Sequence, residues 1–368
     1  MHETTGEMRW AVGSRVDRGR AVLGVRFPSV SVGETLSSVV ASVRSDRGWV
    51  LRDVASGEER LRSRDHVGEG GCICGTSAHG RRKLPGCSAL GHSATIHAIV
   101  MSQSGSRLAT GSVDKTVIVW STDTGEAELQ LSGHKETVRS LAFSPDGQRL
   151  ASASDSTTRV WNTSTGAVVS ILRRADGGGR AVAWSPDGQS LATGGHSGVV
   201  HTFDTDTWHV VRSFQGQGQI ESLAFSPDSR SLAAGGWGRA VLGWDTRSGG
   251  LRLCLRGPSE CASSKGGDAH ADCEGHRSFL LSVAWSPDGQ RLVSCCYRAE
   301  VKLWDATTGA LLRSFSGGRC AAFAPDVQRT RERGVAFAMG QLPRHGAQSH
   351  VRGLMGDVVR MVLEAAGE

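Results

Sequence analysis

The sequence predicts an all-β protein built from one unit repeated many times. Three observations carry that reading. The turn Ser-Pro-Asp-Gly occupies residues 144–147, 185–188 and 286–289, with looser copies beginning at Ser102, Ser226 and Ala324. The interval from Ser144 to Ser185 is 41 residues, and from Ser185 to Ser226 it is 41 again. The 49 glycines in 368 residues suit a chain full of tight turns, not a helical one. A period of this length means one supersecondary unit stacked on copies of itself, sharing one continuous core.

In chain order, the first readable segment is Val40-Ala41-Ser42, then Val50-Leu51-Arg52-Asp53 and Ser56-Gly57-Glu58. It lines up with the second and third strands of a unit. Residues 133–173 display the whole pattern. Gly133-His134 opens it, and Val138, Leu141 and Phe143 make a short strand. Pro145-Asp146-Gly147 reverses the chain, because proline presets φ and glycine accepts a positive φ. Residues 150–154 form a second strand, 158–161 a third ending on Trp161, and 168–172 a fourth after the turn at Thr165-Gly166. Four short strands with a turn every 8–12 residues are an all-β signal, and no helical period competes. After Gly340 the pattern fades. Leu354, Val358, Met361 and Val362 have the spacing of a short amphipathic helix.

The unit resembles the WD repeat of β-propellers. Gly91-His92, Gly133-His134 and Gly275-His276 stand at unit starts. Val119-Trp120, Val160-Trp161, Gly243-Trp244-Asp245 and Leu303-Trp304-Asp305 stand at third-strand ends, with Phe203-Asp204 a weaker version. The resemblance implies four-stranded antiparallel blades, seven in number, with six as the alternative. The propeller is expected over 20–345, with clear repeats at 90–316 and worn blades at 20–66 and 317–345. Residues 1–19 are a tail or closing strand, and 346–368 a C-terminal tail. Arg52 stands where other units have tryptophan. In the family a His, a Ser or Thr, an Asp and a Trp form a hydrogen-bonded tetrad, which implies His92, Ser112, Asp114 and Trp120 here. The next unit offers His134, Ser154, Asp155 and Trp161. A hydrolytic triad would need an exposed nucleophile beside an oxyanion hole, so these sets are read as structural.

The same resemblance places function on one face. Insertions at 63–89 and 258–274 both lead into first strands, and the second stretches the interval from Ser226 to Ser286 to 60 residues. The position before the blade Asp, a frequent contact point in the family, holds Val113, His196, Trp237 and Tyr297. Aromatic residues at polar loop tips are hot-spot material. The expected partner-binding set is Trp237, Tyr297, Phe279, His196, Arg139, Glu221 and Arg298. The implied role is a non-catalytic scaffold for protein partners, part of a multiprotein complex. Residues 232–247 also resemble the box of cullin-ligase substrate receptors, which would make Trp244, Asp245 and Arg247 adaptor contacts. Gly238 and Gly243 depart from that box.

Charge and cysteine content are consistent with this. A net charge of +6 is mild, and the short patch Arg81-Arg82-Lys83 does not point to nucleic acid. The first insertion holds Cys72, Cys74, His79 and Cys87, and the second Cys261, His270 and Cys273. Their spacing is poor for zinc, and no metal or cofactor is expected. Nine cysteines without a regular framework suggest reduced thiols in an intracellular protein of cytoplasm or nucleus. No run of ~18 apolar residues predicts a membrane span.

Overall fold

A computed structural model describes residues 39–43, 48–53, 59–63, 91–173, 179–255, 275–298 and 300–316. The expectations for 1–19, for the worn blade 317–345, for the tail 346–368 and for nearly all of both insertions lie outside them. Every described element is a strand. No described helix is long and apolar enough to cross a membrane.

β1 (Val39–Val43), β2 (Trp49–Asp53) and β3 (Glu59–Arg62) form a three-stranded antiparallel sheet. Five four-stranded sheets follow. The second sheet of the chain holds β4 (Ile96–Met101), β5 (Arg107–Ser112), β6 (Val117–Ser121) and β7 (Ala127–Leu131). The third holds β8 (Val138–Phe143), β9 (Arg149–Ser154), β10 (Thr158–Asn162) and β11 (Val168–Leu172). The fourth holds β12 (Gly179–Trp184), β13 (Ser190–Gly195), β14 (Val199–Asp204) and β15 (Val210–Gln215). The fifth holds β16 (Ile220–Phe225), β17 (Ser231–Gly236), β18 (Val241–Asp245) and β19 (Leu251–Leu255). The sixth holds β20 (Leu280–Trp285), β21 (Arg291–Cys296), β22 (Glu300–Asp305) and β23 (Leu311–Ser316).

Strand order in each sheet is chain order, as two-stranded turns require. Successive first strands β4, β8, β12, β16 and β20 pack on one another and are nearly wholly buried. Fourth strands lie at the outer edge and expose Val168, Val169, Val210, Val211 and Leu251. Five of the six apolar clusters among the described residues draw on two neighbouring sheets, and the remaining one, with Ala284, Val293, Val301 and Leu303, lies within the sixth sheet. One of the five joins Val100, Val119 and Leu131 to Val138, Phe143 and Trp161. The next joins Ala151 and Val160 to Trp184, Leu191 and Phe203. Most of the described core is shared across seams between sheets, so stability comes largely from stacking. Indole N–H donors reinforce the seams: Trp184 to the Ala142 carbonyl and Trp285 to the Ala224 carbonyl, each 3.1 Å.

The turns behave as their residues dictate. Gly147, Gly188 and Gly289 have φ of 70°, 75° and 68°. At the looser copy Ser229 takes the same conformation, φ 60°. In each, the leading serine hydroxyl meets the turn aspartate at 2.5 Å, as Ser144 does with Asp146. Register repeats equally well. The third-strand aromatic faces a leucine of the second strand: Leu108 and Trp120, Leu150 and Trp161, Leu191 and Phe203, Leu232 and Trp244, Leu292 and Trp304. A register shift with the fourth strand falls just before that aromatic, as between Val119 and Trp120. The same shift falls between Leu51 and Arg52, so β1, β2 and β3 correspond to the second, third and fourth strands of a unit.

Candidate functional site: the loop rim and the tetrads beneath it

The tetrads hold the turns that carry the rim, and their geometry corrects one expectation. In the second sheet the Trp120 indole N–H donates to Thr110 Oγ1 at 2.8 Å, and Thr110 Oγ1 meets His92 Nε2 at 2.8 Å. His92 Nδ1 meets Asp114 at 3.0 Å. The hydroxyl at the hub is therefore Thr110, not Ser112. Trp120 lies opposite Leu108, so its ring reaches the diagonal same-face position two residues on and no further. Ser112 instead donates to the Ala94 carbonyl and accepts the Asp114 N–H. Burial alone would raise the Asp114 pKa. The His92 hydrogen bond and charge, with two bonds from Thr116, override it and hold the carboxyl well below the usual range.

The third sheet needs the same correction. Its hub is Ser152, which meets Trp161 Nε1 at 2.7 Å and His134 Nε2 at 2.6 Å. Ser154 takes the aspartate's place against His134 Nδ1 at 3.0 Å. Burial, then the Arg159 charge, lowers the His134 pKa to about 4, so the ring is neutral at pH 7. Asp155 turns outward to the rim. The hub oxygens of Thr110, Ser152 and Ser294 belong to fully buried residues.

The rim is built where second strands end and first strands begin. Trp237 follows β17, Tyr297 and Arg298 follow β21, His196 follows β13, and Phe279 precedes β20. Backbone bonds fix the tips, with the Trp237 N–H on the Gln219 carbonyl and the Tyr297 N–H on the Phe279 carbonyl. The three aromatic rings form one stack: Trp237 to Phe279 with centroids 5.6 Å apart, and Phe279 to Tyr297 with 4.8 Å. Trp237 is 54% exposed and Tyr297 40%.

A polar chain continues the stack across two more sheets, the fourth and the third. The Trp237 indole N–H donates to Glu221 at 3.0 Å. Glu221 pairs with Arg180 at 3.7 Å and accepts from the Gln219 amide. Arg180 also approaches Asp155 at 3.5 Å. Asp155 accepts the Arg139 Nε–H with both oxygens, at 2.9 and 2.8 Å, and lies 3.4 Å from His196. The sequence reading brought Arg139, His196, Glu221, Trp237, Phe279 and Tyr297 to this face. It missed Asp155 as a rim residue, and it missed Arg180, whose side chain is only 5% exposed. Arg180 is the second residue of its first strand, the place that Arg139 and Glu221 hold in theirs, and that shared repeat position was the available signal. Arg298 is exposed in the turn beside Tyr297.

The residues of the ligase box sit on the opposite edge of the fifth sheet. Trp244 is buried against Phe214. Asp245 accepts the Ser248 N–H, the Ser248 hydroxyl and the Arg247 N–H, and these bonds, those of Ser248 above all, hold its carboxyl below the usual range. Asp204 and Asp305 do the same in their own turns, so this aspartate is a turn device repeated through the chain. Arg247 is exposed.

Comparison with known proteins agrees with this architecture. A family described as the IFT122 first beta-propeller matches residues 87–257, and the WD domain, G-beta repeat, matches residues 268–305. The chain is 41% identical over 69 residues to Superkiller complex protein 8 of Dictyostelium discoideum, covering 18% of this chain and 23% of that one. It is 47% identical over 51 residues to nuclear distribution protein PAC1 of Mycosarcoma maydis, covering 14% and 11%. It is 49% identical over 45 residues to mouse coronin-7, covering 12% and 5%. The matched stretches span less than a quarter of the length of these curated relatives.

Proposed function

Because the chain belongs to the WD-repeat β-propeller family, we propose that it is a non-catalytic platform whose loop rim holds a partner protein. The stack of exposed Trp237, half-buried Phe279 and exposed Tyr297 carries this reading. Three stacked rings, tilted 24° and 25° from one to the next, offer a continuous apolar surface, and aromatic anchors of this kind dominate interface energies. The stack is preorganised. Backbone bonds hold its tips, and Glu221 orients the Trp237 ring, so a partner meets a surface with little ordering left to do. Arg298 beside Tyr297, and the polar chain that runs from Glu221 through Arg180 and Asp155 to Arg139 and His196, add polar contacts suited to an interface rim. The partner would be a peptide or domain that brings an apolar side chain to the rings.

The test is co-purification with the Trp237→Ala/Tyr297→Ala double variant at matched thermal stability. Partners recovered with the wild type should be lost or reduced at least tenfold. Recovery of the same proteins in the same amounts would sink the proposal. A substrate-receptor role in a cullin-type ligase is supported only by the exposed guanidinium of Arg247. Adaptor binding that survives Arg247→Ala would end it.

A further inference from the structure

Three sheets place a histidine beneath a tryptophan, and two of them satisfy both ring nitrogens. His92 finds Asp114, and His134 finds Ser154. In the sixth sheet only the inner half of the pattern survives. His276 Nε2 meets Ser294 Oγ at 2.6 Å, and Ser294 accepts the Trp304 indole N–H at 2.8 Å. The outer nitrogen, Nδ1, is buried and has no hydrogen-bond partner among the described residues, although His276 is only 1% exposed. A buried polar atom in that state needs a physical reason. The sequence explains how it arises. At the position of Ser112 and Ser154 stands Cys296, and at that of Asp114 stands Arg298.

Two other donors face the unpaired nitrogen. Glu300, at the start of β22, brings Oε2 to 4.0 Å from His276 Nδ1 and to 4.0 Å from Cys296 Sγ. All three donor atoms lie within 4.8 Å of one another. An ion at the centre of that triangle would sit at most about 2.5 Å from each, against ~2.0–2.3 Å for zinc bound to nitrogen, oxygen and sulfur. A closure of a few tenths of an ångström completes the fit.

We propose that His276 Nδ1, Cys296 Sγ and Glu300 Oε2 form a three-ligand site for a thiophilic divalent cation, with Zn2+ the best match. Imidazole, thiolate and carboxylate together suit zinc, whereas calcium and magnesium take oxygen donors. Ser294 on Nε2 fixes the ring so that Nδ1 points at the ion, the usual outer support of a histidine ligand. The carboxylate and thiolate supply two negative charges against the one positive charge of nearby Lys302. The Glu300 side chain is 29% exposed, which leaves a route in and room for a water as fourth ligand. Cys296 gives up its Sγ proton to solvent as the ion binds. The ion would tie the turn bearing Tyr297 to the segment that leads into Phe279, and so brace two rings of the rim. The site stands whether or not the rim binds a partner.

The experiment is a Co2+ titration of the metal-stripped full chain. One equivalent should bind with a thiolate-to-cobalt charge-transfer band, and Zn2+ should displace it. The band should vanish in Cys296→Ser, and Glu300→Gln should weaken Co2+ binding at least tenfold. A folded wild type that shows no band overturns the proposal. So does a band that persists in Cys296→Ser, which would move the metal to other cysteines. Should Cys296→Ser fail to fold, Glu300→Gln decides, since it retains the thiol, and unchanged affinity there refutes the site.

Discussion

Replacing Thr110 with valine should be among the most damaging one-atom changes in the second sheet. The substitution keeps the shape and removes the oxygen that His92 Nε2 and the Trp120 indole N–H share, each at 2.8 Å. Both partners are buried, His92 at 8% and Trp120 at 3% exposure. A buried polar group left without a partner costs about 1–3 kcal/mol. Two of them, offset by easier burial of the new methyl group, come to about 2–4 kcal/mol. Ser112→Ala is the internal comparison. It loses a bond to the Ala94 carbonyl and one from the Asp114 N–H. Ala94 and Asp114 are partly exposed, so water replaces much of what is lost, and the cost should be about 1 kcal/mol. Urea unfolding followed by tryptophan fluorescence measures both, with Thr110→Ser expected to recover most of the loss. A Ser112→Ala cost equal to or above that of Thr110→Val would refute the hub assignment.

Two further outcomes follow from buried chemistry. His134 has its pKa lowered from 6.5 to about 4, chiefly by burial. The unfolded chain therefore binds more protons than the folded one between those values. This histidine's contribution is complete above about pH 6.5 and is lost as pH falls toward 4, by about 3 kcal/mol at ~1.4 kcal/mol per pH unit. Unfolding midpoints from pH 7.5 to 4 should fall with that sign, His276 adding its own share because burial lowers its pKa to about 3, and the slope should lessen in His134→Asn; an unchanged slope in the variant counts against the assignment. Gly236→Ala places a Cβ 1.9 Å from the Gln219 carbonyl, a backbone atom that cannot swing aside. It should cost about 1–3 kcal/mol and weaken partner capture by shifting Trp237, with the intact-fold variant Trp237→Ala as reference for the second effect. A neutral Gly236→Ala would show that the two strands are less closely set.

Strand limits, turn types and the repeat were legible in the chain because each depends on residues within a few positions of one another. Ser-Pro-Asp-Gly specifies its own reversal, and strands expected at 150–154, 158–161 and 168–172 occur as Arg149–Ser154, Thr158–Asn162 and Val168–Leu172. The aromatic loop tips could also be picked out, since Trp237 and Tyr297 occupy a fixed place in the repeat. Which hydroxyl meets which histidine could not. Thr110 and Ser112 share a face of one strand, and only the pairing of Leu108 with Trp120 decides between them. Asp155 was likewise assigned to its own tetrad, when Arg139 and the neighbouring sheet draw it outward. The rim network joins residues that lie tens of positions apart, from Arg139 to Tyr297, and only the stacking of adjacent sheets brings them within bonding distance. Local conformational preference wrote the blades, whereas long-range packing chose the partners of every buried polar atom, because a hydrogen bond is settled by tenths of an ångström that no spacing along the chain encodes.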